Sequence, residues 1–415
     1  MRNPLVSVVV STYRGERFLR GCLEMLLSQS ISDRLEIIVI DSGSPEDERG
    51  IVRDMREEHQ NIVYERTTRE TLYASWNRAL RMSTGIYFAN FNVDDWIRED
   101  AFELFARALD QEPQADVAFA HWAATDIAQR PPTEDDPVSF HPPYQPALPL
   151  FYCYGGSTQF WRASSLSRLG GFDPSFSACG DLDALCRLTQ VGGNAILVPH
   201  VLEGFFQNPE GISQASSTSQ REQAEIFARA RRETPLTALF ALDTGDASAV
   251  AAGWTALGNM AMQIRVPWHD DRLNDRGFAL ECYRRALSAA PNFSPALHNM
   301  YSIFFEAGEF GPAERCLAGL PPAIAARVRG AELALVEPDV EPARRGPVYE
   351  QSSSVGPVPD GIMSGTRPQR IDAVAAELID AKEYIASLKR YLAKEHTEAA
   401  ALRKALAADH GTNTL

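Results

Sequence analysis

Four apolar runs in the first 91 residues, each ending on polar residues and separated by helical patterns, constrain this chain more than any other feature. The first, VSVVVST at 6–12, is β-branched almost throughout, a composition suited to a strand buried on both faces of a parallel sheet. A turn and a helix follow, with Phe18, Cys22, Leu23, Leu26 and Leu27 at helical spacing. LEIIVIDSGS repeats the unit and ends its strand at Asp41. A polar helix from about Pro45, a short strand from Asn61 to Glu65, a helix from Leu72 to Met82 and a strand from Ile86 to Phe91 complete the pattern. Strand alternating with helix predicts an α/β fold, a doubly wound sheet whose ligands collect at the carboxyl ends of the strands. Thr12, Asp41 and Asp94 all fall there.

The fourth run, IYFANFNVDDW at 86–96, sets Asn92, Asp94 and Asp95 on one turn at a strand's end. Two carboxylates and an amide suit a hard divalent cation that shares its shell with substrate phosphates. The plainer reading of the same turn is a helix N-cap beside a surface carboxylate. Residues 130–149, RPPTEDDPVSFHPPYQPALP, are too long and irregular for an ordinary connection, which predicts a functional lid or a disordered segment. GGFDPSFSACGDLDALCRL then enters a helix at Gly180 and Asp181, where Asp181 either caps the helix or faces a substrate.

These segments, in this order, resemble the family 2 inverting glycosyltransferases of the GT-A fold over residues 1–215. The resemblance implies a nucleotide-diphosphate sugar donor, with Thr12, Tyr13, Glu16 and Asp41 around the nucleoside and Ser42, Asn77 and Asp94 also in the donor site. It implies Mn²⁺ or Mg²⁺ at Asn92, Asp94, Asp95 and Asn208. It further implies a carboxylate base, Asp181 with Asp183 as second choice, that deprotonates the acceptor hydroxyl as it attacks the anomeric carbon opposite the leaving diphosphate. One base suffices where a metal stabilises the leaving group. Three positions depart from the family pattern. Asn92 stands where the first acid of Asp-x-Asp is usual, which lowers the charge offered to a metal. Arg14 replaces an Asn after Thr-Tyr and offers a cation to a phosphate. Asn208 is nearest the position of a His that often reaches the metal or diphosphate; His200, beside a strand, reads as structural.

Past residue 220 the sequence turns alanine-rich and helical. Ala279 and Cys282 recur 34 residues on as Ala313 and Cys316, the tetratricopeptide period. Trp254, Leu257, Gly258, Tyr283, Ala286, Pro291 and Phe304 match that repeat's landmarks. Two repeats are expected, the first carrying an insertion of about nine residues around RVPWHDDRL; HDD there reads as a solvated loop. The predicted domains are a GT-A type mixed sheet at 1–220, an all-α tetratricopeptide-like domain at 221–336, a flexible Pro/Gly/Ser-rich linker at 337–370 and a coiled-coil helix at 371–408. The last rests on apolar heptads from Ile371 through Leu406, broken at Glu395, and predicts a homo-oligomer formed through this helix or the repeats. An amphipathic membrane helix fits less well, given mixed charge without Trp or Phe.

Composition narrows the partners. A net charge of −15 argues against nucleic acid and offers no basic patch to anionic lipid. Six cysteines without CxxC spacing fit buried thiols in a reducing compartment. With no apolar run long enough to span a bilayer and no basic-then-apolar leader before the first strand, the expected location is cytoplasmic, with the inner membrane face as a peripheral option. STYRGER after the first strand lacks the GxGxxG of a nicotinamide enzyme. Three functions remain: a metal-dependent inverting glycosyltransferase acting on a glycan, lipid-linked or protein acceptor; a catalytically weak scaffold acting through repeats and coiled coil; and a nucleotidyltransferase or sugar-phosphate enzyme on a similar sheet.

Overall fold

The computed structural model describes residues 3–211, 216–264, 274–328 and 335–349. All of these except Thr133–Asp135 belong to one compact unit that runs to Tyr349. The expected coiled coil and residues 350–370 of the expected linker lie outside the described residues, as does the insertion at 265–273.

A nine-stranded sheet is built from β1 (Val6–Thr12), β2 (Leu35–Asp41), β3 (Ile62–Arg66), β4 (Tyr87–Asn90), β5 (Trp96–Ile97), β6 (Val117–Thr125), β7 (Val138–Ser139), β8 (Phe160–Arg162) and β9 (Ala195–Phe206). Its order is β3-β2-β1-β4-β8-β6-β9-β5, with β7 paired to β6. The strands β3, β2, β1 and β4 run parallel, whereas β8 is antiparallel to both β4 and β6. The sheet is therefore mixed. Between the strands lie α1 (Glu16–Leu27), α2 (Glu48–Arg56), α3 (Leu72–Met82), α4 (Ala101–Gln111), α5 (Ala163–Arg168) and α6 (Gly180–Gln190).

The β-branched runs are buried on both faces because each strand feeds two cores alternately. Val8, Val10, Ile37 and Val39 pack with Leu19, Cys22 and Phe105 on one side. Val9, Ile38 and Ile40 pack with Tyr73, Trp76 and Leu182 on the other. This second core continues without interruption into the helices that follow: α7 (Ser216–Glu233), α8 (Leu236–Leu239), α9 (Ala247–Gln263), α10 (Arg276–Ala289), α11 (Ser294–Glu306), α12 (Phe310–Ala318) and α13 (Pro322–Val328). Gly258 of α9 lies against the Tyr283 ring of α10, where an added Cβ would come within 2.6 Å of the ring.

Two expectations about irregular segments need correcting. Much of 130–149 is packed, not a free lid: β7 joins the sheet, and Tyr144, Ala147 and Leu148 are buried, as are Leu150, Phe151, Tyr152 and Tyr154 just beyond. Aromatic burial outweighs the proline content. The described part of the expected flexible linker, 337–349, is also tied down, starting from Val336 just before it. Asn299 Nδ2 and Asn259 Nδ2 each donate to the Val336 carbonyl at 3.0 Å, and Val336 N–H donates to Asn299 Oδ1 at 2.7 Å. Gly346 N–H then donates to the Tyr144 carbonyl (2.7 Å) and Tyr349 N–H to that of Leu197 (2.8 Å), so 335–349 runs as a strap from the helices to β9.

Within the sheet, Glu203 of β9 is fully buried. Its Oε2 accepts from Thr158 N–H (2.9 Å) and Ser157 Oγ (3.0 Å), while Oε1 has no partner among the described residues. Burial pushes its carboxyl up to about 8. The unfolded chain ionises this group in the ordinary glutamate range, so its contribution to stability is present at acid pH and is lost as pH rises toward about 8. Thermal melts from pH 5 to 8.5 should show Glu203→Gln with a shallower loss of Tm than the parent, the difference amounting to at most about 1.4 kcal/mol per pH unit. Equal slopes would show that Glu203 is ionised in the fold.

Candidate active site

A cleft of about 630 Å³ opens where β1 and β4 end, a size usual for small-molecule sites. Its wall takes Thr12, Tyr13, Arg14, Arg17 and Phe18 from the turn after β1 and the start of α1. Arg69, Leu72, Tyr73 and Trp76 come from around α3, Asn92 and Asp94 from the turn after β4, Asp181 from α6, and Phe205, Phe206, Asn208 and Glu210 from the end of β9.

The turn after β1 is tight. Arg14 sits at φ 55°, its N–H donating to Ser44 Oγ (2.9 Å), and a Cβ on Gly15 would lie 2.4 Å from Thr12 Oγ1. Above it, the Arg69 guanidinium lies 3.7 Å from the centre of the Tyr13 ring, a cation–π contact that holds a ring 38% exposed to solvent. Arg17 pairs with Glu210 at 3.3 Å.

The turn after β4 is pinned from outside the motif. Gln129 Nε2 donates to the carbonyls of Val93 (2.6 Å) and Phe18 (2.7 Å), and its N–H donates to that of Asp94 (3.0 Å). Neighbouring carboxylates on this turn face opposite ways. Asp94 reaches the cleft and accepts from Asn208 Nδ2 at 2.8 Å. Asp95 is 1% exposed and accepts from Phe206 N–H and Asn92 Nδ2, both at 2.9 Å. Burial, then the charge of Asp94, pushes Asp95 up to about 7. Both oxygens of Asp95 are thus engaged by the chain itself. Asn208 is also engaged by the chain: its amide donates to Asp94, and its Oδ1 accepts from Glu210 N–H (3.0 Å). The oxygens left for a cation are those of Asp94 and Oδ1 of Asn92, a set that fits a hard ion completed by water and a diphosphate. Among the described residues no group of three or more acids, histidines or cysteines could hold a metal unaided.

On the opposite wall Asp181 opens α6. Its Oδ1 accepts from the Tyr73 hydroxyl (3.0 Å) and from Leu182 N–H (2.9 Å), and Gln159 Nε2 donates to its carbonyl (3.3 Å). Burial raises its carboxyl above the ordinary aspartate range, against the pull of these donors. It caps no N–H beyond the residue next to it, so the N-cap reading lapses. Asp183 points elsewhere: it is 1% exposed and paired with Arg187 (2.7 Å) and with Arg229 of α7. Glu222 of α7 accepts from the N–H groups of Ser177, Ala178 and Cys179 at 2.8, 2.8 and 3.1 Å, holding the loop that leads into α6.

Four other expected donor-site residues do not line the cleft. Asp41 is fully buried, with Tyr64 Oη (2.6 Å) and Arg66 on one oxygen and Ser44 N–H (2.7 Å) on the other. Ser42 binds the Glu70 backbone, Glu16 accepts from Asp47 N–H (3.1 Å), and Asn77 makes a two-way amide pair with the Phe172 backbone. The cleft residues that motif reading passed over are Arg17, Arg69, Tyr73, Trp76, Ser157 and the Phe205–Phe206 pair. The aromatic and basic residues of TTRETLYASW, running from just after β3 into α3, were the available signal.

Curated relatives match only short stretches. Glycosyltransferase GlyA of Streptococcus pneumoniae is 30% identical over 117 residues, 28% of this chain and 16% of that protein. A chondroitin synthase of Escherichia coli is 30% identical over 103 residues, 25% of this chain and 15% of that one. The chain thus spans about a sixth of the length of these relatives. The solved structure of S. aureus TarS 1-349 in complex with UDP-GlcNAc aligns over 75% of this chain and 90% of that one, with a TM-score of 0.47 and 13% identity. Residues 7–164, from β1 into α5, match the family described as Glycosyl transferase family 2, and the likeness to that family is confined to this part of the chain.

Proposed function

We propose that the chain is an inverting glycosyltransferase that moves a sugar from a nucleoside-diphosphate sugar to an acceptor hydroxyl. The observation that carries this reading is a single cleft with Asp94 on one wall and Asp181 on the other, at the carboxyl ends of strands within and beside the matched family segment. Tyr13, held by Arg69, offers a ring to a nucleobase. Arg14, Arg17 and Arg69 supply positive charge to a diphosphate. A divalent cation, Mn²⁺ or Mg²⁺, held by Asp94 and Asn92, would add charge stabilisation of the departing diphosphate. Asp181 takes the acceptor's proton as the acceptor oxygen bonds to the anomeric carbon and the bond from that carbon to the phosphate oxygen breaks. Attack opposite the leaving group inverts the centre.

Helices α9–α12, read as two tetratricopeptide-like repeats, present or recognise the acceptor, for which a glycan, a lipid-linked intermediate and a protein remain in play. Among the described residues no helix is long and apolar enough to cross a membrane. The scaffold reading draws on one observation, that Asp94 is the lone carboxylate of its turn to reach the cleft.

Thermal melts with UDP, GDP and dTDP, with and without Mn²⁺, separate the two. One nucleotide that raises Tm only with metal is the expected outcome, since a ligand of the folded state stabilises by mass action. No response to any of them would favour the scaffold.

A further inference from the structure

Among the residues around the cleft, Tyr73 is the one whose hydroxyl is committed to the reacting carboxylate. It is 1% exposed, and its ring is fixed on three sides: edge-on to Trp76 at 5.1 Å, tilted against Phe172 at 5.9 Å, and against Gly180, where an added Cβ would lie 2.7 Å from the ring. A ring so confined can deliver its hydroxyl to one place, Asp181 Oδ1 at 3.0 Å. The Leu182 N–H shares that oxygen, and the carboxylate also feels its own backbone N–H, whereas no side chain of the described residues donates to Oδ2. Gly180 is the feature that lets α6 begin this close to α3.

Resting on the glycosyltransferase reading, we propose that Tyr73 is a positioning residue: it holds Oδ1 of Asp181 and so leaves Oδ2 as the oxygen that receives the acceptor's proton. A donor to the ionised carboxylate favours that form, so the bond also works against burial, which raises Asp181. The other titratable groups facing Asp181 are Cys153 from the segment before β8, Cys179 from its own loop with Glu222 behind it, and Asp183 on its own helix, whose charge Arg187 and Arg229 meet. The two thiols are themselves raised by burial, so they stay neutral. Tyr73 is the neighbour on α3 that donates to the side chain.

The test is the pH profile of nucleotide-sugar hydrolysis by the full chain, with water as acceptor and the sugar nucleotide whose diphosphate raises Tm in the panel above. The parent rate should rise with pH along an acid limb that Asp181→Asn abolishes. Tyr73→Phe keeps the ring and should leave nucleotide-induced stabilisation unchanged, lower the rate about tenfold to a hundredfold, the usual worth of a hydrogen bond to a charged group, and move the acid limb to higher pH. Difluorotyrosine at position 73, a stronger donor of the same shape, should move it to lower pH. A merely structural role moves neither limb. A limb abolished by Asp181→Asn but unmoved in both Tyr73 variants overturns the positioning role alone. A limb that survives Asp181→Asn overturns the base assignment and this proposal with it.

Discussion

Asp181→Asn is expected to lower sugar transfer by roughly 10²- to 10⁴-fold, the usual contribution of a positioned general base, and to leave nucleotide binding unchanged. The separation follows from where the side chain sits. Its Oδ1 is held by Tyr73 and Leu182, and an amide oxygen can accept both bonds, so the start of α6 should keep its shape. What the amide lacks is a site for the acceptor's proton. Because burial raises the carboxyl, the parent should lose activity on the acid side at a higher pH than an ordinary aspartate would impose, with activity present once the group is ionised and absent below. Transfer or hydrolysis rates alongside nucleotide titrations of the same preparations check both halves. Full activity in the variant would return Asp181 to a purely structural role; lost nucleotide binding would place it in the donor pocket instead.

The contrast between Asp181 and its neighbours marks how far the residues alone could be read. The strand pattern of β1, β2 and β4 follows from local composition, since a β-branched run buried on both faces has few other homes. The strand-end positions of Thr12 and Asp94 follow from it. What local sequence does not carry is which of two adjacent acids turns outward. Asp94 and Asp95 differ by one position on a turn, and the choice is made by Phe206 N–H, 111 residues away in the chain, which claims Asp95. Asp183 is settled similarly by Arg229 of α7, a helix that the expected boundary at 220 divided between the sheet domain and a separate helical one. The segment around Tyr144 to Tyr154 misled for a different reason. Proline counts describe the backbone's freedom, but four aromatic rings in that span, Tyr144, Phe151, Tyr152 and Tyr154, supply enough apolar area to order it. Tyr73 was hidden because its role needs the loop at 180 to arrive beside α3, a contact between distant parts of the sequence.

That opposite orientation of two adjacent acids gives the second large effect. Asp94→Ala should abolish metal-dependent stabilisation by nucleotide, taking a Tm rise of roughly 5–10 °C at a ligand concentration near a hundred times Kd down to the metal-free value. Its effect on the unliganded protein should be small. Asp94 is partly exposed, and the group it releases, Asn208 Nδ2, is also near solvent and can turn to water. Asp95→Ala should do the reverse. It leaves the part-buried Phe206 N–H without its acceptor and releases Asn92 Nδ2, which faces the cleft, at a cost of about 1–3 kcal/mol for an unsatisfied group, so the unliganded Tm should fall by several degrees. Any nucleotide response that survives should still require metal. Melts of the two variants side by side, with and without nucleotide and Mn²⁺, therefore read orientation directly. If Asp95→Ala loses the ligand response at an unchanged unliganded Tm while Asp94→Ala keeps it, the cation is held from the buried side of the turn, and the cleft as described is not the donor site.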